Sequence, residues 1–158
     1  SYSPPFKRRK LSLKKPLFRL EHVELCGFHL NSEICSLWCE VIESGSESIR
    51  SFSCAFNFFD EKDLTLLLST LLQVNLEKFC FSQNHLEDSH VRMICQSIRS
   101  GKWSNLQVLD ISRTDMTESS MVLLLETIAH QSLPLQVLLH KIPQKYLKLM
   151  SIINGLLS

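Results

Sequence analysis

Apolar and polar positions recur along this chain with a long period. Residues 76–86, LEKFCFSQNHL, place apolar side chains at Leu76, Phe79, Phe81 and Leu86, with Asn84 between the last two. The same spacing returns in residues 20–30, with Leu20, Val23, Leu25, Phe28 and Leu30. It returns in residues 49–59, with Ile49, Phe52, Cys54, Asn57 and Phe59, and in residues 106–116, with Leu106, Leu109, Ile111, Thr114 and Met116. A fifth copy is read from Leu135 and Leu138, although His140 then stands at the third apolar place. The copies start 29, 27, 30 and 29 residues apart. Repeats at such a period build arrays of identical supersecondary units.

Each copy opens with alternating apolar positions, the pattern of a short strand, and is followed by a helical pattern. Ile34, Leu37, Trp38, Val41 and Ile42 form the first apolar stripe, behind Asn31 and Ser32 as caps. Leu64, Leu67, Leu68, Leu71 and Leu72 form the second. Val91, Ile94, Cys95 and Ile98 form the third. Met121, Leu124, Leu125 and Ile128 form the fourth, behind Thr117 as a cap. Parallel strands need a crossover, usually a helix, so strand and helix alternate through the array. Stacked units of this kind share a core that none could bury alone.

The pattern L-x-x-L-x-L-x-x-N-x-L followed by a helix resembles the leucine-rich repeat family, specifically its long ribonuclease-inhibitor-like class. The resemblance covers residues 20–140. It implies an α/β fold: a short curved solenoid with parallel strands on the concave face and helices on the convex face. The departures are Phe28 and Thr114 at the asparagine place and Cys54 at a leucine place. About four full repeats form one domain over 17–158, closed by an atypical C-terminal capping helix through Tyr146, Leu147, Met150, Ile153 and Leu157. Asn84 is expected to spend its side-chain amide on backbone groups at the bend, in register with Asn57.

Charge changes the picture at the N-terminus. Residues 1–19 carry seven Lys or Arg and no acid, whereas the remainder carries ten bases and sixteen acids. Residues 1–16 read as a basic, disordered tail, and the Ser1 start reads as a piece of a longer chain. The cluster Lys7, Arg8, Arg9, Lys10, Lys14 and Lys15 resembles a nuclear-import signal, read by an import receptor; the plain alternative is a basic linker. Leu11 and Leu13 are placed to pair as an edge strand beside the first repeat, with Leu17 packing below. Nucleic-acid binding is disfavoured, because the bases lack aromatic interleaving and the body is acidic.

Little in the sequence suggests catalysis. There is no glycine-rich phosphate loop, no GxSxG, no HExxH and no CxxC. The six cysteines read as buried or half-buried thiols in a reducing compartment, the nucleus or cytoplasm. Cys35 and Cys39 share a helix face without a second pair to complete a zinc site. His85 and His90 are expected to face solvent. Asp60, Glu61, Asp63, Glu87 and Asp88 fall at helix starts, where carboxylates favour the helix dipole. No cofactor, metal or membrane partner is expected.

The resemblance places a partner protein on the concave face, and the residues between the inward positions line it. Glu24, Lys78, Cys80, Val108 and Asp110 belong to these columns, with Val137 and Leu139 completing an apolar cluster at the C-terminal end. Phe56 and Arg113 stand just beyond the strands. A protein-binding scaffold follows as the expected role, of the kind found in ubiquitin-ligase recognition subunits or nuclear complexes. No cullin-adaptor box stands out in this chain. An oligomerising assembly module is the alternative, and the oligomeric state is open.

Overall fold

The computed structural model describes residues 19–27, 29–131, 136–138, 147–148 and 150–151. The tail and most of the C-terminal segment lie outside them. Five strands of three residues each, β1 (His22–Glu24), β2 (Ser51–Ser53), β3 (Lys78–Cys80), β4 (Val108–Asp110) and β5 (Gln136–Leu138), form one open parallel sheet in the order of the chain. Four helices alternate with them: α1 (Ser32–Ser44), α2 (Glu61–Leu71), α3 (Asp88–Arg99) and α4 (Glu118–Gln131). This is an α/β array in which each strand pairs with the next one along the chain.

The periodicity becomes register. Val23, Phe52, Phe79, Leu109 and Val137 stand in one row across the sheet, and all are buried against the helices. Where each strand begins, one carbonyl of the unit before accepts two amides. The Glu21 carbonyl accepts from Arg50 and Ser51, that of Arg50 from Glu77 and Lys78, and that of Glu77 from Gln107 and Val108. The apolar stripes of α2, α3 and α4 are buried as expected. Phe59, Phe81, Phe79 and Trp103 continue the core as a chain of ring contacts 5.4–5.9 Å apart, and the Trp103 indole donates to the Leu71 carbonyl.

The bends after the strands carry two devices. Gly27, Phe56, Gln83 and Arg113 occupy one column, and all four are left-handed, with φ of 71°, 56°, 59° and 56°. A bulky residue takes that conformation only under surrounding constraint. For Phe56 and Gln83 the constraint is the buried asparagine that follows. The Asn57 side-chain amide donates to the carbonyls of Leu25, Cys54 and Ala55. The Asn84 amide donates to those of Cys54, Phe81 and Ser82, and its Oδ1 accepts the Asn57 backbone N–H at 2.7 Å. Where Thr114 replaces asparagine, its hydroxyl keeps a single bond, to the Ile111 carbonyl. His29 and Asp115, which follow the two places without asparagine, are themselves left-handed, with φ of 47° and 49°. The backbone there turns through a second residue that the asparagine units do not need.

Helix starts are capped by side chains. Asn31 accepts from Ile34 N–H, Asp60 from Asp63 N–H and Thr117 from Ser120 N–H. Three residues after each cap, the later helices place a buried polar side chain that bonds back to the unit before. Asp63 accepts from Ser32, His90 bonds Thr65, and Ser120 donates to Asp88. These two hydroxyls, Ser120 and Thr117, hold the Asp88 carboxyl below its ordinary value.

Four expectations change. The first apolar stripe is only partly covered: Cys35, Cys39 and Ile42 are the buried face of α1, while Ile34 and Leu37 are 40% and 55% exposed. No described unit precedes α1, so no described element lies against the outer half of its stripe. The fifth repeat sits one residue earlier than the Leu135 reading. Gln136 pairs with Val108, and Val137 with Leu109. This register turns Gln136 outward and Val137 inward, and gives the Gln107 carbonyl the Gln136 N–H. By count, the third apolar place then falls on Leu139 instead of His140. His90 is buried, 1% exposed, rather than facing solvent. At the C-terminus Leu147, Lys148, Met150 and Ser151 are helical; Met150 is buried but Leu147 is 52% exposed. Tyr146, Ile153 and Leu157 lie outside the described residues.

Asn84→Ala should lower unfolding free energy by about 3 kcal/mol or more, because it strands buried backbone groups on two units. Asn75→Ala, at an exposed site, should stay within about 0.5 kcal/mol in the same denaturant titration. His90 supplies a pH effect. Its Nδ1 accepts the Glu87 N–H at 3.2 Å. The Thr65 hydroxyl donates to the Glu61 carbonyl, so Nε2–H of a neutral ring donates to Thr65 Oγ1. Burial, outweighing Glu61 and Glu87, lowers the His90 pKa below 6.5. The unfolded chain then takes up this proton first, so stability is full above pH 6.5 and falls as the pH drops below it. His90→Gln should flatten that part of the stability–pH curve.

Candidate functional site

The side chains between the inward rows emerge on the open face of the sheet, because alternate residues of a strand point to opposite sides. His22, Glu24, Ser51, Ser53, Lys78, Cys80, Val108, Asp110 and Gln136 line a shallow trough there of about 560 Å³. Five of the expected contact residues are therefore brought together: Glu24, Lys78, Cys80, Val108 and Asp110. They lie on neighbouring strands, with Glu24, Ser53, Cys80 and Asp110 in one row.

The other four are placed differently. Val137 is a core residue, 5% exposed, so the apolar cluster of Val108, Val137 and Leu139 does not form on this face. Leu139 lies outside the described residues. Phe56 and Arg113 stand at the left-handed bends, beyond the trough. Phe56 is 53% exposed and meets Phe58, 70% exposed, edge-on at 5.5 Å, and His29 approaches Phe58 from the first unit at 6.2 Å. These rings form an aromatic rim beside the sheet. Sequence reasoning missed Phe58 and His29 in this role. Their only signal was position, one place after the asparagine column. It also missed Gln136, which the shifted fifth register brings onto the face.

The trough is mostly polar, with small side chains at Ser51, Ser53 and Cys80 and internal bonds that limit what its groups can do. Asp110 Oδ1 accepts both the backbone N–H and the hydroxyl of Ser112, at 3.1 and 2.7 Å. Its Oδ2 accepts the Cys80 thiol at 3.5 Å. Asp110 thus braces the bend in the fourth unit, where Thr114 stands in place of asparagine. Cys26 lies 3.3 Å from the Ser53 hydroxyl. Glu24 and Lys78 are exposed, and Glu21 and Glu77 flank the strands as further exposed carboxylates. Arg19 pairs with Glu21 at 3.2 Å.

All six cysteines are free thiols. Cys35, Cys39, Cys54 and Cys95 are buried, and Cys26 and Cys80 are half-buried. Burial pushes the Cys54 and Cys95 thiols up, and the bond with Cys39 together with burial pushes Cys35 up. A thiol held protonated is a poor nucleophile. Among the described residues, no group of three or more His, Cys, Asp or Glu is arranged to hold a metal ion. No described helix is long and apolar enough to cross a membrane.

The import-like residues Lys7, Arg8, Arg9, Lys10, Lys14 and Lys15 lie outside the described residues. A scan against protein-family models finds no match, and a search of the curated proteins finds none either.

Proposed function

We propose that this chain is a non-enzymatic protein-binding scaffold of the leucine-rich repeat kind, whose open sheet face is the concave side of a short solenoid and receives a segment of a partner protein. The observation that carries this reading is the face itself. Alternate residues of five parallel strands project into one trough that no described segment covers. The repeat spacing, the buried asparagines at the bends and the strand–helix alternation support the family resemblance. The small side chains of Ser51, Ser53 and Cys80 leave room for a backbone to approach. Glu24 and Asp110, with Glu21 and Glu77 at the edge, favour a neutral or basic segment. The aromatic rim of Phe56 and Phe58 supplies the kind of exposed apolar group that anchors protein contacts. Service as the recognition subunit of a larger ubiquitin-ligase or nuclear complex fits such a face, and the import reading rests on the sequence of the basic tail alone.

The test compares three full chains by proximity labelling in cells: wild type, Glu24→Lys with Lys78→Glu, and Gln96→Lys on the exposed side of α3. Proteins labelled by wild type and the α3 variant but reduced about tenfold with the double variant support the open face as the site. An identical labelled set for all three would sink the reading. Asp110 is left intact, since changing it would also loosen its bend.

A further inference from the structure

We propose that residues 1–18 of this chain fold back over the outer side of the first unit, with their apolar residues against α1 and their bases against its glutamates. This inference is independent of what the open face binds.

The observation is a difference between columns. Counted from each helix cap, the third residue is Ile34, Asp63, His90 and Ser120 in the four units, and the tenth is Val41, Thr70, Ser97 and Thr127. In the later three units both columns are polar and buried, at 1–8% exposure. Asp63, His90 and Ser120 bond back to the unit before, and Thr127 accepts from Arg99 at 3.1 Å. In the first unit both are apolar. Ile34 is 40% exposed, Val41 is half-buried, and Leu37 beside them is 55% exposed. A unit of the same type preceding α1 would meet polar partners at these places. The side that α1 presents instead suits an apolar cover.

The 18 residues immediately before Arg19 have the chemistry to provide it. They contain Phe6, Leu11, Leu13, Leu17 and Phe18. Their charge is complementary to the first unit. Residues 1–19 hold seven bases and no acid, and residues 20–48 hold six glutamates and no Lys or Arg. Glu33, Glu40, Glu43 and Glu47 are all exposed along or just beyond α1. Reach is ample. Eighteen residues can extend about 60 Å, and a 13-residue helix is about 20 Å long.

The experiment uses the full chain and a zero-length carbodiimide cross-linker, with products mapped by mass spectrometry in a mixture of unlabelled and ¹⁵N-labelled protein. Expected are links within one copy from Lys7, Lys10, Lys14 or Lys15 to Glu33, Glu40, Glu43 or Glu47. Amides of residues 11–18 should also exchange with deuterium at least about tenfold slower than an unstructured peptide. The paired variant Ile34→Asp and Val41→Thr gives α1 the residues α2 carries at those places, so the fold should tolerate it. It should abolish the protection. Glu40→Lys with Glu43→Lys, both at exposed sites, should reduce it independently. Links between labelled and unlabelled copies would show a second molecule on this side and overturn the proposal. So would unprotected amides in the wild type, or protection that both variants leave unchanged.

Discussion

The fold depends on a backbone bend that has to be made inside the core. At the end of each strand the chain must turn toward its helix while its carbonyls point into a dry interior. An unpaired buried carbonyl or amide costs as much as a lost hydrogen bond, so the turn is tolerable only if those groups find partners. Asn57 and Asn84 provide them. Each amide reaches a carbonyl of its own bend and one of the unit before, and Asn84 also receives the Asn57 N–H. One side-chain type therefore shapes the bend and sets the spacing between units. With that support Phe56 and Gln83 hold left-handed conformations usually left to glycine. Without it, in the fourth unit, Thr114 keeps one bond, Asp110 braces Ser112, and Asp115 takes on part of the turn.

Stacking follows from the same economy on the helix side. Polar residues placed three beyond the caps of α2, α3 and α4 tie each of these helices to the one before, and the apolar stripe needs to cover only what the neighbour does not. This is why the interior can hold an uncharged His90 and the Asp63 carboxylate. Each has a hydrogen bond to a residue about one repeat away. Among the described residues no unit precedes the first, and its composition differs where such a neighbour would be. The open face of the sheet is what remains when every inward row is committed to the core.

How much of this was legible depends on what each feature answers to. Strand rows and helix stripes answer to hydrophobic periodicity, so the inward rows through Phe52, Phe79 and Leu109 and the stripes of α2 to α4 stand where the sequence places them. So do the outward residues Glu24, Lys78, Cys80, Val108 and Asp110, since alternation settles both faces of a strand at once. The fifth strand was ambiguous because apolar residues stand at adjacent places in LPLQVLL. Only pairing with β4 decides that Val137 is the inward one. The exposure of Ile34 and Leu37 answers to the absence of a described unit before α1, which periodicity does not register. The burial of His90 answers to Thr65, 25 residues away. Phe56 and Phe58 were readable as aromatic, but their meeting at the rim comes from left-handed backbone geometry.

The central claim is that side-chain amides in the bends couple one unit to the next. Site-resolved hydrogen–deuterium exchange of the native protein tests it most directly, read at the Asn57 backbone amide, whose acceptor is the Asn84 side chain. This bend amide should be protected to the same degree as the central-strand amides of Phe52 and Phe79. Exchange of the Asn57 amide as fast as that of exposed loop residues such as Asn75 and Asn105 would show the opposite.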